Sequence, residues 1–218
     1  MQARRQEVLK PYDNWPATSP DYSICKTKSH MNIQQLGSFL AFRDRENAPE
    51  LLVLHATAGS TAKSSIDHLR GVGLSYHYII ARDGKDTSKS VNAQDTEAII
   101  FHCVPNEKHA FHVGSTIPAP GGLGINKSSI GVSMANIQRK TNPEAYPARQ
   151  LKALDELLAH LKTTVPSLKF LTVHAVVQPW NRADPLKIDA KRLAAKHGFE
   201  FFQPTEAQIK AHTPKKTK

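Results

Sequence analysis

Leu51-Leu52-Val53-Leu54-His55 sets four branched apolar residues in a row and ends them with an imidazole. A run this short, apolar at every position, predicts a central strand buried on both faces of an α/β sheet. Phe170-Leu171-Thr172-Val173-His174 repeats the arrangement and again closes on histidine. Strand ends of such sheets are where side chains reach into a ligand crevice. Ten residues after His174, the stretch VHAVVQPWNRADP (173–185) supplies a carboxylate, Asp184. Two readings stand. Each histidine can be a hydrogen-bonded residue at a sheet edge and Asp184 an Asp-Pro turn residue. Alternatively, two imidazoles and a carboxylate form the ligand set of a catalytic zinc site that keeps its fourth position for water.

Working outward from these strands, Thr57–Ser65 offers Ser and Thr caps for a helix carrying Ile66 and Leu69. SYHYIIARDGK (75–85) reads as a strand with Tyr76, Tyr78 and Ile80 on one face and His77 and Ile79 on the other. Its Asp83-Gly84 pair predicts a hairpin turn. Residues 86–128 read as a long polar loop ending in PAPGGLG (118–124), and a loop of that length is more often functional than idle. SSIGVSMAN (128–136) is a further short strand. Ala148–Thr163 is the clearest helix, with Leu151, Leu154, Leu157, Leu158 and Leu161 in one apolar stripe. Asp189 caps a last helix that runs through Lys196 and stops at Gly198. Alternating strands and helices predict a mixed central sheet flanked by helices in a single α/β domain.

That domain is placed at residues 49–200, between an irregular N-terminal arm (1–48, with a short helix over Ile33–Phe42) and a basic C-terminal tail (201–218). The 218 residues suffice for a core that needs no disulfide staples. Cys25 and Cys103 form no zinc-knuckle spacing; they read as two free thiols, with a single bridge as the alternative. No apolar run is long enough to span a membrane, and the N-terminus carries no Sec-type leader. The net charge of +10 and pI near 9.6 favour a polyanionic partner, although Lys210, His212, Lys215, Lys216 and Lys218 place part of that charge in the tail. A nucleic-acid partner is not expected, because no zinc-finger, RNP or helix-turn-helix pattern accompanies the charge.

Five segments occur in a telling order: LLVLHATAG (51–59), SYHYIIARDGK (75–85), HAFHVG (109–114), SIGVSMAN (129–136) and VHAVVQPWNRADP (173–185). Over roughly residues 50–190 the chain resembles the zinc-dependent N-acetylmuramoyl-L-alanine amidases, a superfamily that takes in phage lysozymes, peptidoglycan recognition proteins and muropeptide-recycling amidases. The resemblance implies Zn2+ held by His55 and His174, with Asp184 as third ligand in the manner of the recycling branch. It implies hydrolysis of the amide joining N-acetylmuramic acid to L-alanine, with peptidoglycan or muropeptides as partner. Arg182 stands where related amidases carry a catalytic lysine. Ser133 stands where the recycling branch carries a catalytic glutamate, so Tyr76, aligned with a tyrosine of the phage branch, takes the catalytic role. His112 is read as a substrate contact or a structural loop histidine, Asn126 as a substrate-side residue that also shapes its loop, and Trp180 as lining the groove or pinning its own loop.

A non-catalytic peptidoglycan-binding module on the same fold is the alternative function. For localisation, the resemblance leaves a cytoplasmic recycling enzyme beside a wall-lytic endolysin or antibacterial effector delivered by a non-Sec route, any delivery or immunity partner being unidentified.

Overall fold

The computed structural model describes residues 31–37, 39–87, 97–139 and 141–215. The elements run β1 (Asn32–Gln35), β2 (Phe42–Asp44), β3 (Leu51–Ala56), α1 (Ala62–Val72), β4 (Tyr78–Ile80), β5 (Ile99–His102), β6 (Lys108–Ala110) and α2 (Ile125–Ser128). They continue with β7 (Ser129–Met134), α3 (Ala148–Thr164), β8 (Phe170–Val173), α4 (His174–Val177), α5 (Ala190–Lys196), β9 (Glu200–Phe201) and α6 (Glu206–His212). Seven strands form one mixed sheet in the order β1-β5-β4-β7-β3-β8-β9, and β2 pairs with β6 in a separate ribbon. β4, β7, β3, β8 and β9 run parallel, while β5 is antiparallel to β4 and β1 follows β5.

β3 is central and buried at every position, as its unbroken apolar run requires. Leu52 and Leu54 face a core built with Leu154, Leu157, Leu158 and Leu161 of α3. Leu51 and Val53 face the opposite side, against Ile125 and Val177. β7 divides its two faces more sharply. Ile130, Val132 and Met134 enter the α3 core, and the alternate positions are Ser129, Gly131 and Ser133. Three small residues on one face of a central strand leave room above the sheet, and that room holds the candidate site.

The helices start and stop where the sequence chemistry says. The Thr61 side chain accepts from Ser64 N, and the Asp86 carboxylate accepts from Ala62 N and Lys63 N at 2.7 Å each, so three orphan amides of α1 are satisfied. Asp189 caps α5 by accepting from Arg192 N, and Gly198 beyond its end takes a left-handed φ of +68°. α3 is tied to the sheet by the buried Gln150, whose amide donates to Ile80 O at 2.9 Å and Ala135 O at 3.0 Å. Leu151, at 40% exposure, falls outside the stripe it was assigned to. Leu158→Ala is therefore expected to cost about 2–5 kcal/mol, and Leu151→Ala no more than about 0.5 kcal/mol, in urea unfolding.

Several expectations need correction. Among the described residues of 33–42 there is no helix: Asn32–Gln35 is a strand paired in parallel with β5, and Phe42–Asp44 pairs with β6. The 86–128 stretch holds β5, β6 and α2. A turn does follow β4 at Arg82–Lys85, but the antiparallel partner of β4 begins only at Ile99, so the Asp-Gly pair closes no tight hairpin. The sheet reaches from Asn32 to Phe201, and α6 lies in the segment read as tail. Cys103 is fully buried; Cys25 and the first thirty residues of the arm lie outside the described residues. Among the described residues no helix is long and apolar enough to cross a membrane.

Candidate metal centre

His55 is the fifth residue of β3, opposite Ser133 of β7, and His174 opens α4 directly after β8. Because β3 pairs in parallel with β8, the two histidines emerge side by side, with ring centroids 4.5 Å apart. The 174–184 loop then folds back: Ala175 N donates to Asp184 O at 2.9 Å, and Ala56 N donates to Asp184 Oδ2 at 3.2 Å. The carboxylate is thereby set between the rings, 3.2 Å from His174 Nδ1 and 3.8 Å from His55 Nδ1. Among the described residues, this is where three potential ligand atoms converge, all within 4.8 Å of one another.

The donor set fits a divalent metal. Tetrahedral zinc with nitrogen and oxygen ligands at ~2.0–2.1 Å separates those ligands by about 3.3 Å; Asp184 lies 3.2 Å and 3.8 Å from the two Nδ1 atoms, in a group that spans up to 4.8 Å. His55 Nδ1 is a buried nitrogen with no hydrogen-bond partner, a costly arrangement unless something else takes its lone pair. Burial, with His174 nearby, holds the His55 pKa well below its ordinary value, so the ring is neutral and able to ligate.

Tyr76 stands beside this group, its ring 4.8 Å from that of His55. It breaks the expected alternation: β4 starts only at Tyr78, and Tyr76, in the irregular lead-in, packs on the side of Ile79 rather than with Tyr78 and Ile80. Burial and the Asp184 carboxylate push its phenol up from the ordinary 10.0, so Tyr76 is a protonated donor at neutral pH. Ser133, in the place of the glutamate, is fully buried, and its hydroxyl bears on the Tyr76 phenol. Arg182 is exposed on the ligand loop, and its charge bears on both His55 and Tyr76. Trp180 is half-buried on the same loop.

His112 and Asn126 take the structural places among those read for them, a loop histidine and a loop-shaping amide. His112 is buried beneath His55, with Nδ1 2.9 Å from His55 Nε2 and Nε2 3.0 Å from Ser129 Oγ. Asn126 Oδ1 accepts from His112 N and Val113 N, and its Nδ2 donates to Val113 O. The buried His112 ring is bonded at both nitrogens, and Asn126, partly exposed, spends its oxygen and one amide proton on the 112–113 backbone.

Sequence reasoning overlooked Gln178 and Arg45. Gln178 Oε1 sits 3.2 Å from His174 Nε2 and accepts from Gly114 N at 2.9 Å. Arg45 donates to the carbonyls of Lys108, Lys127 and Ser129, fixing the segment from which β7 starts. His77, also fully buried, accepts from Gly131 N through Nδ1 and sits with Nε2 3.0 Å from Lys108 O.

These buried imidazoles make the metal-free fold sensitive to acid. Burial pushes His77 down to about 3, and His55 and His112 well below the ordinary 6.5. An unfolded imidazole titrates near ~6.5, so below that pH the unfolded chain takes up protons that the folded chain refuses. The stability contributed by these groups is complete above the unfolded value and is lost as pH falls through the window below it. The urea midpoint of metal-free protein is expected to drop between pH 7 and 5, each ring adding up to ~1.4 kcal/mol per pH unit. His77→Gln is expected to flatten that slope.

Residues 45–187, well over half of the chain, match the N-acetylmuramoyl-L-alanine amidase family. The chain belongs to this family. The match spans both histidines, Asp184, Tyr76 and Arg182. Solved amidase structures share the fold at low identity. AmpDh3 of Pseudomonas aeruginosa is 19% identical with a TM-score of 0.55, over 97% of this chain and 83% of that one. The amidase AmiD from E. coli, in complex with anhydro-N-acetylmuramic acid-L-Ala-D-gamma-Glu-L-Lys, is 22% identical with a TM-score of 0.54, over 76% of this chain and 63% of AmiD. The Ph2119 endolysin of a Thermus scotoductus bacteriophage is 23% identical with a TM-score of 0.52, over 76% of this chain and 99% of the endolysin. A search of curated proteins found no match.

Proposed function

We propose that this amidase-family chain is an active zinc-dependent hydrolase that cleaves the amide between N-acetylmuramic acid and L-alanine, with intact wall polymer as its substrate. The observation that carries the reading is the convergence of His55 Nδ1, His174 Nδ1 and the Asp184 carboxylate, with a proton-bearing Tyr76 beside them. Zinc in that place supplies Lewis acidity and makes a nucleophile available at neutral pH.

The protein's own groups have separate tasks. Tyr76, held protonated, donates a hydrogen bond to the oxygen on which negative charge develops. Arg182 adds positive potential at the rim, where it stays exposed and able to meet an anionic substrate. Trp180, half-buried on the same loop, offers an apolar surface to a sugar or peptide. The +10 net charge favours the anionic wall over a small neutral fragment.

The test is made on the full-length chain. It is expected to bind about one zinc per molecule, to release stem peptides from intact sacculi, to act more slowly on soluble anhydro-muropeptides, and to stop when zinc is chelated. Zinc-loaded protein that sediments with sacculi yet releases nothing would show a binding module instead.

A further inference from the structure

We propose that His112 presets His55 so that its Nδ1 lone pair faces Asp184 before any metal arrives, while Gln178 draws the proton of His174 towards Nε2. His112 and Gln178 are then positioning residues. The inference rests on the cation-site reading above, and it follows from counting protons along two hydrogen-bonded chains.

The first chain starts at a backbone carbonyl. Ser129 Oγ has one proton, and it donates that proton to Ile125 O at 2.6 Å. Towards His112 Nε2, 3.0 Å away, Ser129 can therefore only accept, so His112 carries its proton on Nε2. The Nδ1 atom of His112 is then an acceptor, and the His55 Nε2 facing it at 2.9 Å must be the donor. The single proton of a neutral His55 ring is then used at Nε2, and Nδ1, which meets no hydrogen-bond partner, is bare. That bare nitrogen is the one aimed at Asp184.

The second chain starts at a backbone amide. Gly114 N–H donates to Gln178, which fixes the facing atom as the amide oxygen, Oε1. The opposite end agrees, because Gln178 Nε2 donates to Asn181 Oδ1 at 2.7 Å. Oε1 also meets His174 Nε2 at 3.2 Å and draws the ring proton towards that nitrogen. Nδ1 of the same ring meets the Asp184 carboxylate, 3.3 Å from Oδ2, so Gln178 and Asp184 compete for the proton and Gln178 favours the form with Nδ1 bare.

Both chains pass through residues 112–114, and Asn126 binds that backbone at three points. The place of His112 depends on Gly131: a Cβ there would lie 2.7 Å from His112 Cγ and 2.8 Å from Cδ2. The small face of β7 thus has a purpose, with Gly131 admitting the ring and Ser129 setting its tautomer. An outer partner that fixes the tautomer of a metal-binding histidine raises affinity, and losing it typically costs ~10–100-fold.

Long-range proton–nitrogen correlation spectra of metal-free, nitrogen-15-labelled full-length protein at pH 8 read the tautomers directly. His55 and His112 are expected as Nε2–H rings, and His174 as a ring whose Nε2–H share falls in Gln178→Leu; a proton on Nδ1 of His55 overturns the proposal. Ser129→Ala, a one-atom change, is expected to admit Nδ1–H forms of His112 and His55 and to weaken zinc binding by ~10–100-fold, while the urea midpoint shows that the chain still folds. Gln178→Leu is expected to do the same at His174, and Gln178→Glu, which keeps the acceptor, to restore affinity. Wild-type tautomers and zinc affinity in both Ser129→Ala and Gln178→Leu overturn the proposal. A wild-type chain that shows Nε2–H rings at His55 and His112 but binds no zinc supports the brace and overturns the metal reading, so the two fail separately.

Discussion

Asp184→Ala and His174→Ala are each expected to abolish stoichiometric zinc binding and to cut peptide release from sacculi by more than the ~100-fold that loss of an outer partner can cost. The reason is geometric. Asp184 lies between the two imidazoles and approaches each Nδ1, so its removal takes away the negative charge and one of three protein ligands together. Two neutral imidazoles hold a divalent cation poorly, and the charge on the ion then has no partner in a largely buried setting. The fold should survive. The Asp184 carboxylate is 16% exposed, and its link to the sheet is one bond from Ala56 N, so its loss should cost about 1–2 kcal/mol. Asp184→Asn is a sharper control, since it keeps shape and an acceptor oxygen but drops the charge. Zinc content, sacculus digestion and urea midpoints on the same preparations separate a lost ligand from a lost fold. Undiminished digestion by Asp184→Ala would sink the metal reading.

The cluster of His55, His174 and Asp184 was legible from sequence because its two histidines follow strong strands. His55 and His174 each follow a short, largely apolar run that reads as a strand buried in a sheet, and parallel pairing of those runs brings their ends together. The edge of the sheet was harder to read. Asn32–Gln35 is a half-buried edge strand whose polar residues show no alternation, because one of its sides faces no partner strand. Ile99-Ile100-Phe101 did carry a strand signal, masked by the polar stretches around it. His112 illustrates a different limit. Its bonding depends on a missing side chain at Gly131 and on a hydroxyl at Ser129, neither of which is near it in sequence. The alternation Ser129, Gly131, Ser133 against Ile130, Val132, Met134 was the available clue, since a strand with one small face must have something large lying on it.

Tyr76→Phe is expected to lower kcat by ~100–1000-fold, the usual cost of removing one preorganised donor to a developing oxyanion, with zinc affinity and urea midpoint nearly unchanged. The phenol is suited to that role by its surroundings. Burial and the neighbouring Asp184 carboxylate both disfavour phenolate, so Tyr76 keeps its proton and can act as a donor and not as a base. Its ring is fixed against His55, 4.8 Å away, so the donor is aimed before substrate binds and the phenylalanine ring can fill the same space. Because the pKa is raised, ionisation of Tyr76 should produce no loss of activity up to the ordinary value of 10.0. Arg182 separates charge from direct donation. Its exposed guanidinium bears on Tyr76 and His55, so Arg182→Lys should retain much of the rate and Arg182→Ala should raise KM as well as lower kcat. A Tyr76→Phe enzyme with wild-type kcat would reduce Tyr76 to a packing residue. The proton and the oxyanion would then have to be served by the metal-bearing group and Arg182 alone, since Ser133 beside them is a hydroxyl without a carboxylate's charge.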